Sequence, residues 1–171
     1  MKFAILLALA LTALEAQTIE VRSLYQQTPP LEGDWKTFTG DDPRFAAPDF
    51  DDSAWSTVRV PGQSLRMPLG ISWIRFRVQL PETATAEPLK LLLPPLGASY
   101  DLFINGRQVG SFGDPRAAHG WGEYGPTAAA FAIPSGLRQL TIAVRTPESD
   151  LGGTADRPYR PGVGDANTEA C

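Results

Sequence analysis

The chain has 171 residues, a formal net charge of −4 from 15 Lys or Arg against 19 Asp or Glu, and one cysteine, Cys171, its last residue. Mild acidity with both signs interspersed disfavours nucleic acid and anionic membrane surfaces as partners. A lone cysteine allows no internal disulfide, so the fold must stand on its hydrophobic core. Cys171 reads as a chance residue at a fraying end.

Met1-Lys2, the apolar run Phe3–Leu11 and the closing Leu14-Glu15-Ala16 read as a secretory signal peptide cut after Ala16. The run is short for a membrane span. Leu14 stands where a small residue is preferred, so a retained anchor is the alternative. Cleavage would remove Lys2 and Glu15, one charge of each sign, and leave 155 residues, enough for one domain with a real core. The expectation is a secreted or periplasmic protein with no membrane insertion in its mature chain.

Beyond the leader, scattered Pro and Gly cut the chain into short pieces. In Pro48-Asp49-Phe50-Asp51-Asp52-Ser53-Ala54-Trp55 the polar side chains suit a capped single turn that drops Trp55 onto the core. A strand Thr57–Val60 follows and stops at Pro61-Gly62. Over Ile71–Leu80, Ile74, Phe76, Val78 and Leu80 alternate with Arg75, Arg77 and Gln79, the period of a half-buried strand. Leu89–Leu93, closed by Pro94-Pro95, is expected as a strand buried on both faces. Asn105-Gly106 between Tyr100–Ile104 and Arg107–Val109 predicts a hairpin, because both turn positions accept positive φ. Ala128–Ile133 and Leu137–Arg145 are expected to pair around Pro134-Ser135-Gly136, with Leu140, Ile142 and Val144 as the buried face.

Two segments stand apart. Ser111–Thr127 is a long Gly- and Pro-rich loop between two strands, a length that points to function or disorder. Pro147–Cys171 is almost devoid of apolar residues and reads as a flexible tail or linker. Residues 17–146 form the domain, and no helical period is evident in it. The reading is all-β, with six to eight short strands in a sandwich.

The order Asp-Phe-Asp-Asp-Ser-x-Trp (49–55), x-Val-x-Val-Pro-Gly (57–62) and Gly70-Ile71-Ser72-Trp73-Ile74-Arg75 resembles the galactose-binding-like jelly roll. That module opens family-two glycoside hydrolases and many bacterial extracytoplasmic sensors. The resemblance runs from about Trp35 to Arg145 and includes the hairpin Ala98–Gly110. It implies a jelly-roll β-sandwich that holds sugars or partners and rarely does chemistry; the hydrolases' catalytic glutamates belong to a separate barrel. Arg75 matches a position near the binding face in that family. A second resemblance is to sensor domains of membrane-bound PPM-type serine phosphatases and histidine kinases, in which a Pro/Gly segment similar to Pro161-Gly162-Val163-Gly164-Asp165-Ala166 precedes membrane helices. The expectation is a sensor truncated before its membrane segment, or a free-standing relative.

No catalytic set emerges. His119, the only histidine, has no His or Cys companions for a metal and no Gly-x-Ser-x-Gly serine to serve. Gly110-Ser111-Phe112-Gly113 lacks the Lys-Ser/Thr of a phosphate loop. Asp101 and Glu123 could be placed as a carboxylate pair by hand, but nothing in the pattern selects them. Asp41, Asp42, Asp49, Asp51 and Asp52 cluster, and Asp49, Asp51 and Asp52 are weak calcium candidates whose spacing is not that of a calcium loop. Turn and cap work is the better reading. No cofactor is implied.

Trp35, Trp55 and Trp73 are assigned to the core, and Arg75 and Arg77 to a solvated or paired face. In the long loop, Trp121 and Tyr124 can stack on sugar faces while Arg116, His119 and Glu123 bond hydroxyls. A lid of Trp121 over the sandwich end is the competing reading. These residues form the candidate ligand site of a non-catalytic extracytoplasmic sensor domain that binds a small molecule, expected to be a saccharide. The alternatives are a sugar-binding accessory domain of a glycoside hydrolase and a protein-interaction module.

Overall fold

Alternation of apolar and polar residues becomes ten strands in the computed structural model, which describes residues 17–22, 28–61, 70–85, 88–93, 96, 99–113, 128–146 and the backbone of 162–165. They are β1 (Thr18–Glu20), β2 (Gly33–Thr39), β3 (Ser56–Val60), β4 (Ser72–Gln79), β5 (Leu89–Leu93), β6 (Tyr100–Ile104), β7 (Arg107–Phe112), β8 (Ala129–Ile133), β9 (Gln139–Thr146) and β10 (Gly162–Asp165). The only helical pieces among the described residues are the 3-10 turns Pro43–Ala46 and Glu82–Thr85.

A seven-stranded sheet runs β3-β2-β4-β9-β6-β7, with β1 added in parallel beside β4, and a three-stranded sheet runs β10-β5-β8. One hydrophobic cluster joins their inner faces: Trp35, Ile74, Phe76, Leu102, Ile104 and Ile142 from the large sheet meet Leu89, Leu91, Leu93, Phe131 and Ile133 from the small one. The fold is an all-β jelly-roll sandwich, as the sequence implied.

The Asn105-Gly106 hairpin forms as expected, with φ of 48° and 83°. Both angles lie in the left-handed region that a two-residue turn of this hand requires. Asn105 also ties the turn to the adjacent strand β9. Its backbone N–H donates to Thr141 O at 2.9 Å, its Oδ1 accepts from Thr141 N at 2.7 Å, and its Nδ2 donates to Gln139 O at 3.0 Å.

Several expectations are corrected. Residues 128–133 and 137–145 do not pair with each other. Strand β8 pairs with β5 (Leu89↔Ile133), whereas β9 has both edges taken, by β4 and β6. The turn through Gly136, at φ 80°, therefore hands the chain from one sheet to the other. Strand β5 is buried on one face, through Leu89, Leu91 and Leu93, while Lys90 and Leu92 are half-buried. Conversely, β4 is buried on both faces over Ser72–Phe76. Among the described residues the strands number ten, and within the expected tail Gly162–Asp165 is a strand antiparallel to β5.

Trp35 anchors the core. It is 1% exposed and stacks on Phe76 with ring centroids 4.2 Å apart and planes 11° from parallel. Replacing it by Ala should cost about 3–5 kcal/mol of unfolding free energy, the scale for emptying a large aromatic site. Urea denaturation would measure this as a lower midpoint with an unchanged slope; a loss below about 1 kcal/mol would contradict the packing.

Candidate ligand-binding face

Strand β4 sends Ile74, Phe76 and Val78 into the core and Trp73, Arg75 and Arg77 to the outer face of the large sheet. That outer face is partly covered by the connection between β2 and β3. Asp42 starts the cover by accepting the Arg44 amide at 2.9 Å, capping the 3-10 turn Pro43–Ala46. Asp51 Oδ1 accepts the Ser53 amide at 3.0 Å, and the Trp55 amide closes a turn on Asp52 O at 3.0 Å. The expected polar turn is thus present, and it delivers Trp55 to a buried position. Trp55 and Trp73 belong to a satellite cluster outside the sheet, with Ala46 and Ala143, while Trp35 alone of the three lies in the main core.

Arg75 lies fully buried beneath this cover. Its Nε donates to Asp52 Oδ2 at 2.9 Å, its Nη2 to Ala47 O at 3.1 Å, and its Nη1 to Phe45 O. The rings of Phe50 and Trp55 stand 5.6 and 5.9 Å from the guanidinium carbon. Arg77 Nη1 adds a second cation to Asp52 Oδ1 at 3.2 Å. Burial pushes the Arg75 pKa down and Asp52 opposes the shift; an arginine nonetheless stays charged. The two arginines are paired, and Arg75 is too enclosed to meet a ligand.

Beyond the cover the face carries polar side chains, of which Gln108 and Ser111 are exposed. Strand register aligns Phe38, Trp73, Arg145, Asp101 and Ser111 in one row across β2, β4, β9, β6 and β7. Asp41 grips Arg145 with two bonds of 2.7 and 2.6 Å and accepts from Trp73 Nε1 at 3.4 Å. Arg145 Nη1 lies 3.7 Å from Asp101 Oδ2. Asp101 Oδ1 accepts from Ser111 Oγ at 2.6 Å and Gln108 Nε2 at 3.0 Å. The bonds from Arg145 hold the Asp41 carboxyl below its ordinary pKa, and Asp41 in turn raises that of Arg145.

Of the residues singled out in the sequence, Arg116, His119, Trp121, Glu123 and Tyr124 lie outside the described residues. Strands β7 and β8 bound their segment through Phe112 and Ala129. The aspartates of the calcium reading have diverged to separate tasks: Asp52 binds two arginines, Asp51 an amide, and Asp49 is exposed. Among the described residues no three His, Cys, Asp or Glu side chains group to hold a metal. The row Asp41–Arg145–Asp101–Ser111 was missed. Its only sequence signal was the alternate positions of β6 and β9, and their juxtaposition depends on a register that no local pattern encodes.

No family model and no curated protein matches the chain. Solved structures do. A β-glucuronidase 2 of Bacteroides uniformis, covalently bound to cyclophellitol-6-carboxylate aziridine, superimposes with a TM-score of 0.59 at 22% identity, over 80% of this chain and 17% of that one. A β-glycosidase from Bacteroides vulgatus matches with a TM-score of 0.57 at 18% identity, over 81% and 20%. A glycosyl hydrolase family 2 member from Bacteroides cellulosilyticus gives 0.57 at 16% identity, over 81% and 21%. The likeness is one of fold. The chain spans about a fifth or less of the length of these glycosidases.

Two predictions follow from the ion pairs. Asp52→Ala should cost about 3–5 kcal/mol, because it strands a buried guanidinium, whereas Arg75→Met with Asp52→Leu should lose clearly less than Asp52→Ala alone; equilibrium unfolding of the variants compares them. The second concerns pH. Asp41 has a folded pKa below its unfolded value, so its contribution is complete above about pH 4–5 and is lost as pH falls through the folded pKa. Since its side chain is 38% exposed, Asp41→Asn should remove only about 0.2–1 kcal/mol at pH 7 and flatten the acid limb of stability below about pH 4. Thermal melts of both proteins between pH 3 and 7 would reveal it.

Proposed function

We propose that this sandwich binds a saccharide and performs no chemistry of its own, as a secreted or periplasmic accessory domain of the kind found with glycoside hydrolases. One observation carries the reading: four-fifths of the chain superimposes on several glycosidases while occupying a fifth or less of their length. The chemistry of the candidate residues supports it. Trp121 and Tyr124 supply aromatic faces, and Arg116, His119 and Glu123 supply donors and acceptors for hydroxyls.

A second reading places the same saccharide-binding domain as the extracytoplasmic input of a bacterial signalling protein. It is favoured by the resemblance of Pro161–Ala166 to the segment that precedes membrane helices in such sensors.

A glycan array followed by calorimetry tests the saccharide reading. Trp121→Ala should weaken binding by about 1–3 kcal/mol, roughly 5- to 150-fold, with little change in melting temperature. Absence of binding to every saccharide on the array would leave a protein-interaction domain as the reading. Unfolding of the variant would make Trp121 a structural lid.

A further inference from the structure

We propose that the outer face of β6 and β7 forms a subsite for the hydroxyl groups of a neutral saccharide, built from Asp101, Gln108 and Ser111 beside the ring of Phe103. The proposal rests on the saccharide-binding reading and gives it a place on the described surface.

Gln108 and Ser111 are three residues apart, and on a regular strand that odd spacing would send their side chains to opposite faces. Both nonetheless bond Asp101 Oδ1, and Gln108 Nε2 also reaches Ser111 Oγ at 3.1 Å. A register shift makes this possible. Leu102 stands opposite Gly110, but Phe103 stands opposite Gln108, so Val109 is an extra residue in β7. Val109 packs against the main core, and a Cβ on Gly110 would meet the Phe131 ring at 2.6 Å, so two successive residues turn inward. This bulge re-aims Gln108 outward, onto the face of Asp101. Bulges of this kind break a ladder at some cost in pairing, and the polar trio is what this one produces.

The ring of Phe103 completes the patch. It is half-buried, lies across from Gln108, and stacks on Trp73 with centroids 5.5 Å apart. A pyranose resting its C–H face on Phe103 would turn its hydroxyls to the trio. The groups there offer mostly acceptors: Asp101 Oδ2, Gln108 Oε1 and the lone pairs of Ser111, with Arg145 Nη1 as a neighbouring donor. Asp41 and Asp101 against Arg145 leave one net negative charge along the row. That surplus suits hydroxyl donors and repels a sugar carboxylate, so the subsite should select neutral sugars over uronates.

Calorimetry and ¹⁵N-resolved NMR titration of the full chain decide the matter, with methyl β-D-glucopyranoside, methyl β-D-galactopyranoside and methyl α-D-mannopyranoside as probes and methyl β-D-glucuronide as the charged counterpart. At least one neutral glycoside should shift the Gln108 side-chain amide and the Ser111 amide. Asp101→Asn and Gln108→Ala should each weaken that binding about tenfold while the melting temperature holds, the scale of losing a hydrogen bond to a charged or well-placed partner. The glucuronide should bind more weakly than the glucoside. Binding that survives both substitutions but is lost in Trp121→Ala would overturn this placement and leave the saccharide reading intact. Tighter binding of the glucuronide would overturn the selectivity. If none of the four probes binds, and a glycan array is also blank, the placement and the saccharide reading fall together.

Discussion

The segment that covers the outer face of the large sheet depends on Arg75 being buried. A guanidinium cannot be taken out of water without acceptors for its donors, and here three parts of one segment supply them: Phe45 O, Ala47 O and the Asp52 carboxylate. Those acceptors come from residues that would otherwise be a loose connection between β2 and β3. The fork geometry of the guanidinium fixes where each must lie, so the ion pair specifies the course of the cover as much as it stabilises it. A hydrophobic replacement of the pair would retain packing and lose that directional demand. Phe45, Phe50 and Trp55 then close over it, with ring centroids 5.0 to 5.7 Å apart.

The cover divides the face. On one side Trp73 and Arg75 are sealed from solvent; on the other Arg145, Asp101, Gln108 and Ser111 are left partly or fully in water. Asp41, just before the cap residue Asp42, is the seam, since it bonds both the buried Trp73 and the half-exposed Arg145. The hairpin turn meets the cover as well: a Cβ on Gly106 would stand 3.5 Å from Pro48 and 3.7 Å from Ala46 O. The Asn105-Gly106 turn therefore has work beyond reversing the chain, because its bonds to β9 hold the end of β6–β7 beside the cover.

Local chemistry was legible in the sequence and distant pairing was not. The hairpin could be read from two residues with positive φ, β4 and β9 from alternation, and the Asp51–Trp55 turn from short polar side chains that bond nearby amides. Each of those signals lies within a few residues. Strand β8 was assigned the wrong partner because its alternation says which face is buried and nothing about which strand lies beside it. Arg75 had the pattern of an outward residue, and so it is, but outward from the sheet is not outward to water once residues 41–55 fold across. The bulge at Val109 was hidden for the same reason: a one-residue shift against β6 leaves no mark on β7 alone.

Such a division bears on how far a fold likeness can reach. Apolar cores tolerate wholesale exchange among hydrophobic residues if volume and pattern are kept. A sandwich can therefore superimpose on glycosidases at 16–22% identity. That superposition speaks for the inward-facing positions. Ligand choice belongs to the outward ones, which the interior does not constrain. In the proposed subsite they are Asp101, Phe103, Gln108, Ser111 and Arg145, held by register and by one bulge. The net charge of that small group is what would separate a reader of neutral sugars from a reader of acidic ones on the same frame. A change from Asp101 to a basic residue would reverse the preference and leave every core contact untouched.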